Sequence, residues 1–225
     1  MYNKNMTKKI LTTIPFRVGQ LFGNPAPLYT SLGLLGHNGI DFPMDTGTPL
    51  KCVIAGKVEF VGEDASAGKG IYIISDLGDI AYRTIYWHLE SFSCKVGDMI
   101  NVGDVIGLSD NTGLSTGPHL HFGMKTVKKV GSSYQDTDDG NGYNSAIDPF
   151  PFFPSVIYPP IKKGMTGQFV LQIQKMLNEK TGTTLAVDGK FGSITEASVM
   201  LFQRQHNLTV DGICGSNTMT SLNNI

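Results

Sequence analysis

Between residues 47 and 126 the chain reads as short β-branched and aromatic runs punctuated by glycine, a pattern that leaves short strands as the building units. The runs are Leu50–Ile54, Lys57–Val61, Gly70–Ile74, Ile80–Trp87 and His119–Met124. Val, Ile and aromatic side chains pack well on a pleated, half-buried surface. An antiparallel β fold is expected, with a cleft floored by strands and walled by loops. Ala55-Gly56 reads as a tight turn joining the first two runs into a strand pair. Gly68-Lys69-Gly70 fails as a phosphate loop, because glycine follows Lys69 and no glycine stands at position 63.

From Lys163 onward the period changes. Val170, Ile173 and Leu177 lie at i, i+3 and i+7, one apolar face of a helix. Val187-Asp188-Gly189-Lys190-Phe191-Gly192 recurs as Val210-Asp211-Gly212-Ile213-Cys214-Gly215, a near-repeat 23 residues on. Ser193 with Glu196 reads as a capping box in front of Ala197, Met200 and Leu201. Three short helices joined by D-G-x-x-G turns follow from this. The expected architecture is a mainly antiparallel β domain over residues 1–153, then a small all-α domain over 163–225. Proline spacing through 154–162 makes a short, stiff linker. Residues 127–147 are polar and turn-rich, and read as a mobile loop at the cleft rim. Asp136, Asp138 and Asp139 do not make a calcium loop, because the glycine falls fifth in their run and no glutamate closes twelve residues.

Four of the five histidines fall into three clusters: His37-Asn38-Gly39-Ile40-Asp41, Tyr86-Trp87-His88-Leu89 and Gly117-Pro118-His119-Leu120-His121-Phe122. A catalytic zinc takes three protein ligands and keeps a fourth position for water, whose pKa it lowers towards ~7. Two histidines and a carboxylate fit that count, and two imidazoles remain to handle protons. In His119-Leu120-His121 the imidazoles point to one face of a strand, roughly 6.6 Å apart at Cα. His37 and Asp41 would stand about 13 Å apart on a straight strand, so that segment must curl, and Gly36 and Gly39 supply backbone freedom for it. The pattern points to a hydrolytic metalloenzyme. His206 lies far from the clusters and reads as solvent-exposed.

H-x-x-x-D, an aromatic-aromatic-His-Leu run and G-P-H-L-H-F, in that order, resemble the M23 family of zinc metallopeptidases, of the lysostaphin and LytM type. Thr46-Gly47-Thr48-Pro49-Leu50, Ala55-Gly56-Lys57-Val58, Val96-Gly97-Asp98 and Gly113-Leu114-Ser115-Thr116-Gly117 extend the likeness over roughly residues 31–126. The resemblance implies one catalytic Zn2+ held by His37, Asp41 and His121. It implies that His88 and His119 are the non-ligand pair that activates water and stabilises the oxyanion. The implied substrate is a peptide bond in bacterial peptidoglycan, in a stem peptide or a cross-link. Residues 161–225 resemble the PG_binding_1 peptidoglycan-binding domain, on Gly164-Met165-Thr166-Gly167, Ile173-Gln174-Lys175-Met176-Leu177 and the paired turns. Asp188, Gly189, Asp211 and Gly212 are then the candidate wall-binding turn residues. A non-catalytic wall-binding or hydrolase-activating protein on a peptidase scaffold is the alternative, and the intact five-residue set argues against it.

A net charge of −1 gives no electrostatic basis for binding nucleic acid or polyanionic wall polymers. Wall recognition must rest on shaped pockets. Three cysteines, Cys52, Cys94 and Cys214, without C-x-x-C spacing, argue against a disulfide framework or a thiolate zinc site. The segment after Lys8-Lys9 is too short and polar for a signal-peptide core, and no 18-residue apolar run exists to insert into a membrane. A monomer made in the host cytoplasm is expected. With a wall substrate, that combination predicts a bacteriophage endolysin released through a holin pore, or a virion-carried peptidase.

Overall fold

The computed structural model describes residues 11–12, 14, 17–138, 140–153 and 160–224. The chain divides into two compact units, Met1–Pro154 and Ser155–Ile225.

Among the described residues the first unit holds one short α-helix, α1 (Pro27–Ser31), a 3-10 turn (Phe150–Phe152), and the strands β1 (Ile40–Pro43), β2 (Pro49–Lys51), β3 (Gly56–Asp64), β4 (Gly68–Asp76), β5 (Ala81–Trp87), β6 (Leu89–Phe92), β7 (Met99–Ile100), β8 (Val105–Ser109), β9 (His119–Val130) and β10 (Ser133–Asp136). The larger sheet runs β1-β9-β5-β4-β3-β7, with β10 paired to the far end of β9, and a smaller sheet runs β2-β8-β6. Every pairing is antiparallel, so the expected β fold is what forms.

Strand alternation separates a dry face from a working face. On the dry face Tyr86 and Phe122 meet edge to face at 5.3 Å, and Phe153 closes on Phe122 at 5.5 Å and on Phe42 at 6.1 Å. These four rings are fully buried with Leu89 and Ile106, and each contributes on the order of 2–3 kcal/mol by leaving water. The neighbours Trp87, His119 and His121 therefore point to the opposite face.

Two local expectations fail. Leu50 and Val58 do not share a hairpin: Leu50 pairs with Gly107 in the small sheet and Val58 with Ile73 in the large one. Gly56 marks the crossing between sheets, where an added Cβ would lie 2.3 Å from the Ile74 carbonyl oxygen. Residues 127–147 are not one mobile loop either. Strand β9 continues to Val130 and returns as β10 through Gly131, whose φ of 62° suits glycine. The hairpin is pinned by charge: the Arg83 guanidinium binds Glu59 and Asp136, and Lys125 Nζ reaches Asp136 Oδ2 at 2.7 Å.

The second unit packs α2 (Gln168–Thr181), α3 (Ser193–Gln205) and α4 (Ser216–Asn224) around buried Ile173, Leu177, Val199, Phe202, Met219 and Leu222. These are the three helices expected. The repeat is also a repeat of hydrogen bonds. Gln174 Oε1 accepts the N–H groups of Asp188 and Gly189, at 3.1 and 2.9 Å, while its Nε2 donates to Asp188 Oδ1 and the Lys190 carbonyl. Gln203 does the same for Asp211, Gly212 and Ile213. The capping box is absent: Gly192 caps α3 without a side-chain bond, and Glu196 pairs with Lys163 at 3.0 Å. His206 is half-buried, its ring 4.3 Å from that of Phe202, not solvent-exposed as expected. Of the expected linker, residues 154–159 lie outside the described residues.

Candidate metal centre

The β1–β9–β5 register assembles the site. Asp41 on β1 and Trp87 on β5 are the direct partners of His121 on β9, so all three side chains share the working face. His37 precedes β1 and is fastened by paired backbone bonds: Gly23 N–H donates to the His37 carbonyl at 2.7 Å, and His37 N–H donates to Asn24 at 2.9 Å. Gly36 and Gly39 do permit the curl, but through space rather than through unusual φ. A Cβ at Gly36 would come within 2.8 Å of the Gly23 oxygen, and one at Gly39 within 2.7 Å of the His121 ring.

Three donor atoms then converge. His37 Nε2 lies 2.9 Å from His121 Nδ1, and Asp41 Oδ1 lies 3.0 Å from the first and 3.1 Å from the second. A tetrahedral zinc with bonds of 2.0–2.1 Å separates its ligands by about 3.3 Å, so the triangle is close to one face of that tetrahedron. The donor chemistry fits as well. His37 Nδ1–H donates to the Leu21 carbonyl at 3.0 Å, which leaves the lone pair on Nε2. Burial alone would raise the Asp41 carboxyl, but the charges and hydrogen bonds of His37 and His121 outweigh it and hold the group far below the usual carboxylate range. Burial lowers His121, which keeps it neutral and able to ligate. Among the described residues, this triad is the one group of His, Cys, Asp or Glu side chains that could hold a metal ion.

The other two imidazoles flank the triad. His88 sits where the chain leaves the large sheet for the small one, with a φ of 66° that a non-glycine residue adopts only at a cost of roughly 1–3 kcal/mol. Its Nδ1 lies 2.7 Å from the Thr112 carbonyl, so Nδ1 donates and Nε2 carries the lone pair. Burial pushes its pKa down to about 4, so the ring is neutral near neutrality. His119 Nδ1 is likewise 2.8 Å from the Gly117 carbonyl, and its Nε2 lies 3.6 Å from Asp41 Oδ1. The two rings are 4.6 Å apart. All five residues singled out in the sequence thus meet in one place, while Asp188, Gly189, Asp211 and Gly212 belong to the other unit.

The site opens into a cleft of about 1060 Å³. Tyr29, on α1, was not marked by any motif, yet it lines this cleft. Its ring is 5.3 Å from that of His37, its hydroxyl accepts a 2.6 Å bond from Gln20 Nε2, and burial together with Asp41 pushes its pKa up to about 12. It is a neutral hydroxyl donor beside the triad.

A half-buried carboxylate flanked by two imidazole donors, with two further imidazoles over an open cleft, defines a mononuclear metal centre of the hydrolytic kind. Comparison with known proteins gives the particular family. Residues 35–136 match the model of peptidase family M23, and residues 166–222 match that of the PG_binding_1 peptidoglycan binding domain. M23 peptidases are zinc-dependent enzymes that hydrolyse peptidoglycan.

The chain is 35% identical over 144 residues to the glycyl-glycine endopeptidase ALE-1 of Staphylococcus capitis, covering 64% of this chain and 35% of that protein. It is 35% identical over 144 residues to lysostaphin of Staphylococcus simulans, covering 64% of this chain and 26% of that protein. It thus spans about a third or less of these relatives. Among solved structures, it is similar to the catalytic domain of the antimicrobial peptidase lysostaphin from Staphylococcus simulans. The identity is 33%, the match covers 61% of this chain and 91% of that one, and the TM-score is 0.49.

Proposed function

We propose that the protein is a zinc endopeptidase that hydrolyses peptide bonds of bacterial peptidoglycan, acting as a monomer. The observation that carries this reading is the triangle of His37, Asp41 and His121, with the His88 and His119 rings beside it and the Nδ1 of each bonded to a backbone carbonyl. His37 and Asp41 would hold the ion with His121, through Nε2, Oδ1 and Nδ1. When bound, zinc polarises a carbonyl and acidifies a water. His119 and His88, each with its Nδ1 proton spent on a backbone carbonyl, take a proton at Nε2 during attack and return it to the leaving amine. The protonated ring also stabilises negative charge on the carbonyl oxygen. The Tyr29 hydroxyl stands on the His37 side of the cleft as a further donor.

The second unit is the wall anchor in this reading. Asp188 and Asp211 are exposed at the two candidate turns, with Oδ1 of each spent inside the domain, and buried Gly189 and Gly212 shape those turns. With a net charge of −1, attachment rests on shape and hydrogen bonding.

The pairing of a wall hydrolase with a wall anchor in one chain supports a bacteriophage endolysin. Among the described residues, no helix is long and apolar enough to cross a membrane. Expressing the chain in the host cytoplasm with and without a holin tests the biological role. Lysis that requires the holin supports an endolysin, and holin-independent lysis or none contradicts it. For the chemistry, a chelator-sensitive fall in turbidity of a purified wall suspension is expected.

A further inference from the structure

On the floor of the cleft the Trp87 ring lies flat over a strand that has no side chain beneath it. Trp87 and Gly70 are direct partners across β5 and β4, and a Cβ added at Gly70 would fall 2.0 Å from the indole. Gly62 faces Gly70 across β3 and β4, and the Phe60 ring folds over Gly62 in the same way, 2.7 Å from where a Cβ would be. Two facing glycines leave a trough in the sheet, and the indole and the Phe60 ring fill it. Tyr72 braces the indole at 5.4 Å and 87°, and Phe60 at 6.0 Å and 62°, the edge-to-face geometry that aromatic pairs favour.

This platform adjoins the metal triad in the sheet. Trp87 is the partner of His121 on its other side and the residue before His88. It is partly exposed and lines the cleft together with Tyr72. A flat ring with no recess accepts a peptide backbone lying along it. A branched side chain pointing down would strike the ring. The face of an aromatic ring is its negative side, and no lysine or arginine is among the described residues that line the cleft. A carboxylate on this segment would meet repulsion from the ring face and from Asp64, and no lysine or arginine to pair with.

We propose that Trp87 is a specificity-determining residue: its ring carries the substrate segment next to the scissile bond and selects uncharged residues with small or no side chains, such as glycine or alanine, against residues with a free carboxylate. The proposal rests on the peptidase reading above.

The chain contains one tryptophan, so its fluorescence reports on this position alone. The zinc-loaded His119→Ala variant is titrated with pentaglycine and with a D-alanyl peptide bearing a free diaminopimelate carboxylate. A saturable change in emission is expected for pentaglycine, with binding about tenfold tighter than for the acidic peptide, a factor in keeping with one aromatic contact. In the otherwise unaltered chain, Trp87→Leu is expected to lower kcat/KM about tenfold, chiefly through KM, and to abolish the preference between the peptides at unchanged zinc content. Trp87→Phe keeps a flat ring and is expected to retain the preference. A folded, zinc-loaded Trp87→Leu with its preference intact overturns the proposal. So does unchanged emission at saturation by a peptide that calorimetry shows to bind. Should Trp87→Leu not fold, the titration decides. Failure of the unaltered protein to cut any wall or peptide defeats the peptidase reading alone, and the titration still decides the role of Trp87.

Discussion

Nε2 of His37 and Nδ1 of His121 stand 2.9 Å apart, with the Asp41 carboxylate 3.0 and 3.1 Å from them. Because His37 Nδ1–H donates its hydrogen bond to the Leu21 carbonyl, the triangle must be closed either by a proton shared from His121 or by a cation. The two alternatives predict opposite responses to zinc. With zinc at a hundredfold excess over its dissociation constant, the first unit should gain about 2.7 kcal/mol of stability. A chelator should remove that gain, and so should His37→Ala, Asp41→Ala or His121→Ala. Thermal unfolding followed by the emission of Trp87 measures it, and a melting temperature indifferent to zinc would contradict a metal centre.

His88 and His119 should separate catalysis from metal binding. Alanine at either position is expected to reduce wall hydrolysis by about 10² or more while one zinc per chain remains by elemental analysis. Loss of the zinc together with the activity would place that histidine among the ligands.

Much of the centre was legible in the sequence because it is built from short clusters of chemically distinctive residues. Residue type and spacing on a strand fix which face a side chain takes, so His119, His121 and the short cluster around His88 could be read directly. The partner strand of His121 could not, because the Asp41–His121 register depends on long-range pairing that no local pattern encodes. Tyr29 was missed for the same reason. It enters the cleft because Gly23, Asn24 and His37 fold α1 back on the site. The Leu50 and Lys57 runs misled, since a two-residue break next to glycine serves a sheet-to-sheet crossing as well as a hairpin. The Ser193–Glu196 box failed to a tertiary competitor, the Lys163 ammonium.

Gln203 should be worth more to the second unit than any exposed turn residue. It satisfies the N–H groups of Asp211 and Gly212 at 3.1 and 3.0 Å and is itself buried. Gln203→Leu strands those donors, at a cost of roughly 2–4 kcal/mol. Helical signal at 222 nm arises mainly from α2–α4, so chemical unfolding followed there should shift. The Trp87 transition, in the first unit, should not. Coincident shifts of both signals would show that the glutamine acts beyond its own domain.

Asp148 gives the first unit a pH dependence of defined sign. Burial raises its pKa to about 6, against a hydrogen bond from the Phe150 N–H that acts the other way. A carboxyl held above its unfolded value costs nothing below about pH 4 and destabilises progressively between pH 4 and pH 6, by about 3 kcal/mol in all. Asp148→Asn keeps an acceptor for Phe150 and cannot ionise. The stability of the variant relative to the unaltered protein should therefore increase between pH 4 and pH 7. A difference independent of pH would show that Asp148 does not titrate in this range.

The most direct test of the account is mass spectrometry of fragments released from purified peptidoglycan, using glycine-bridged and directly cross-linked walls, with and without a zinc chelator. The account predicts new peptide termini within stems or bridges, abolished by the chelator and by His119→Ala. Protein that binds the walls and releases no fragments, with zinc present, would contradict it and make the chain a wall-binding protein on a peptidase scaffold.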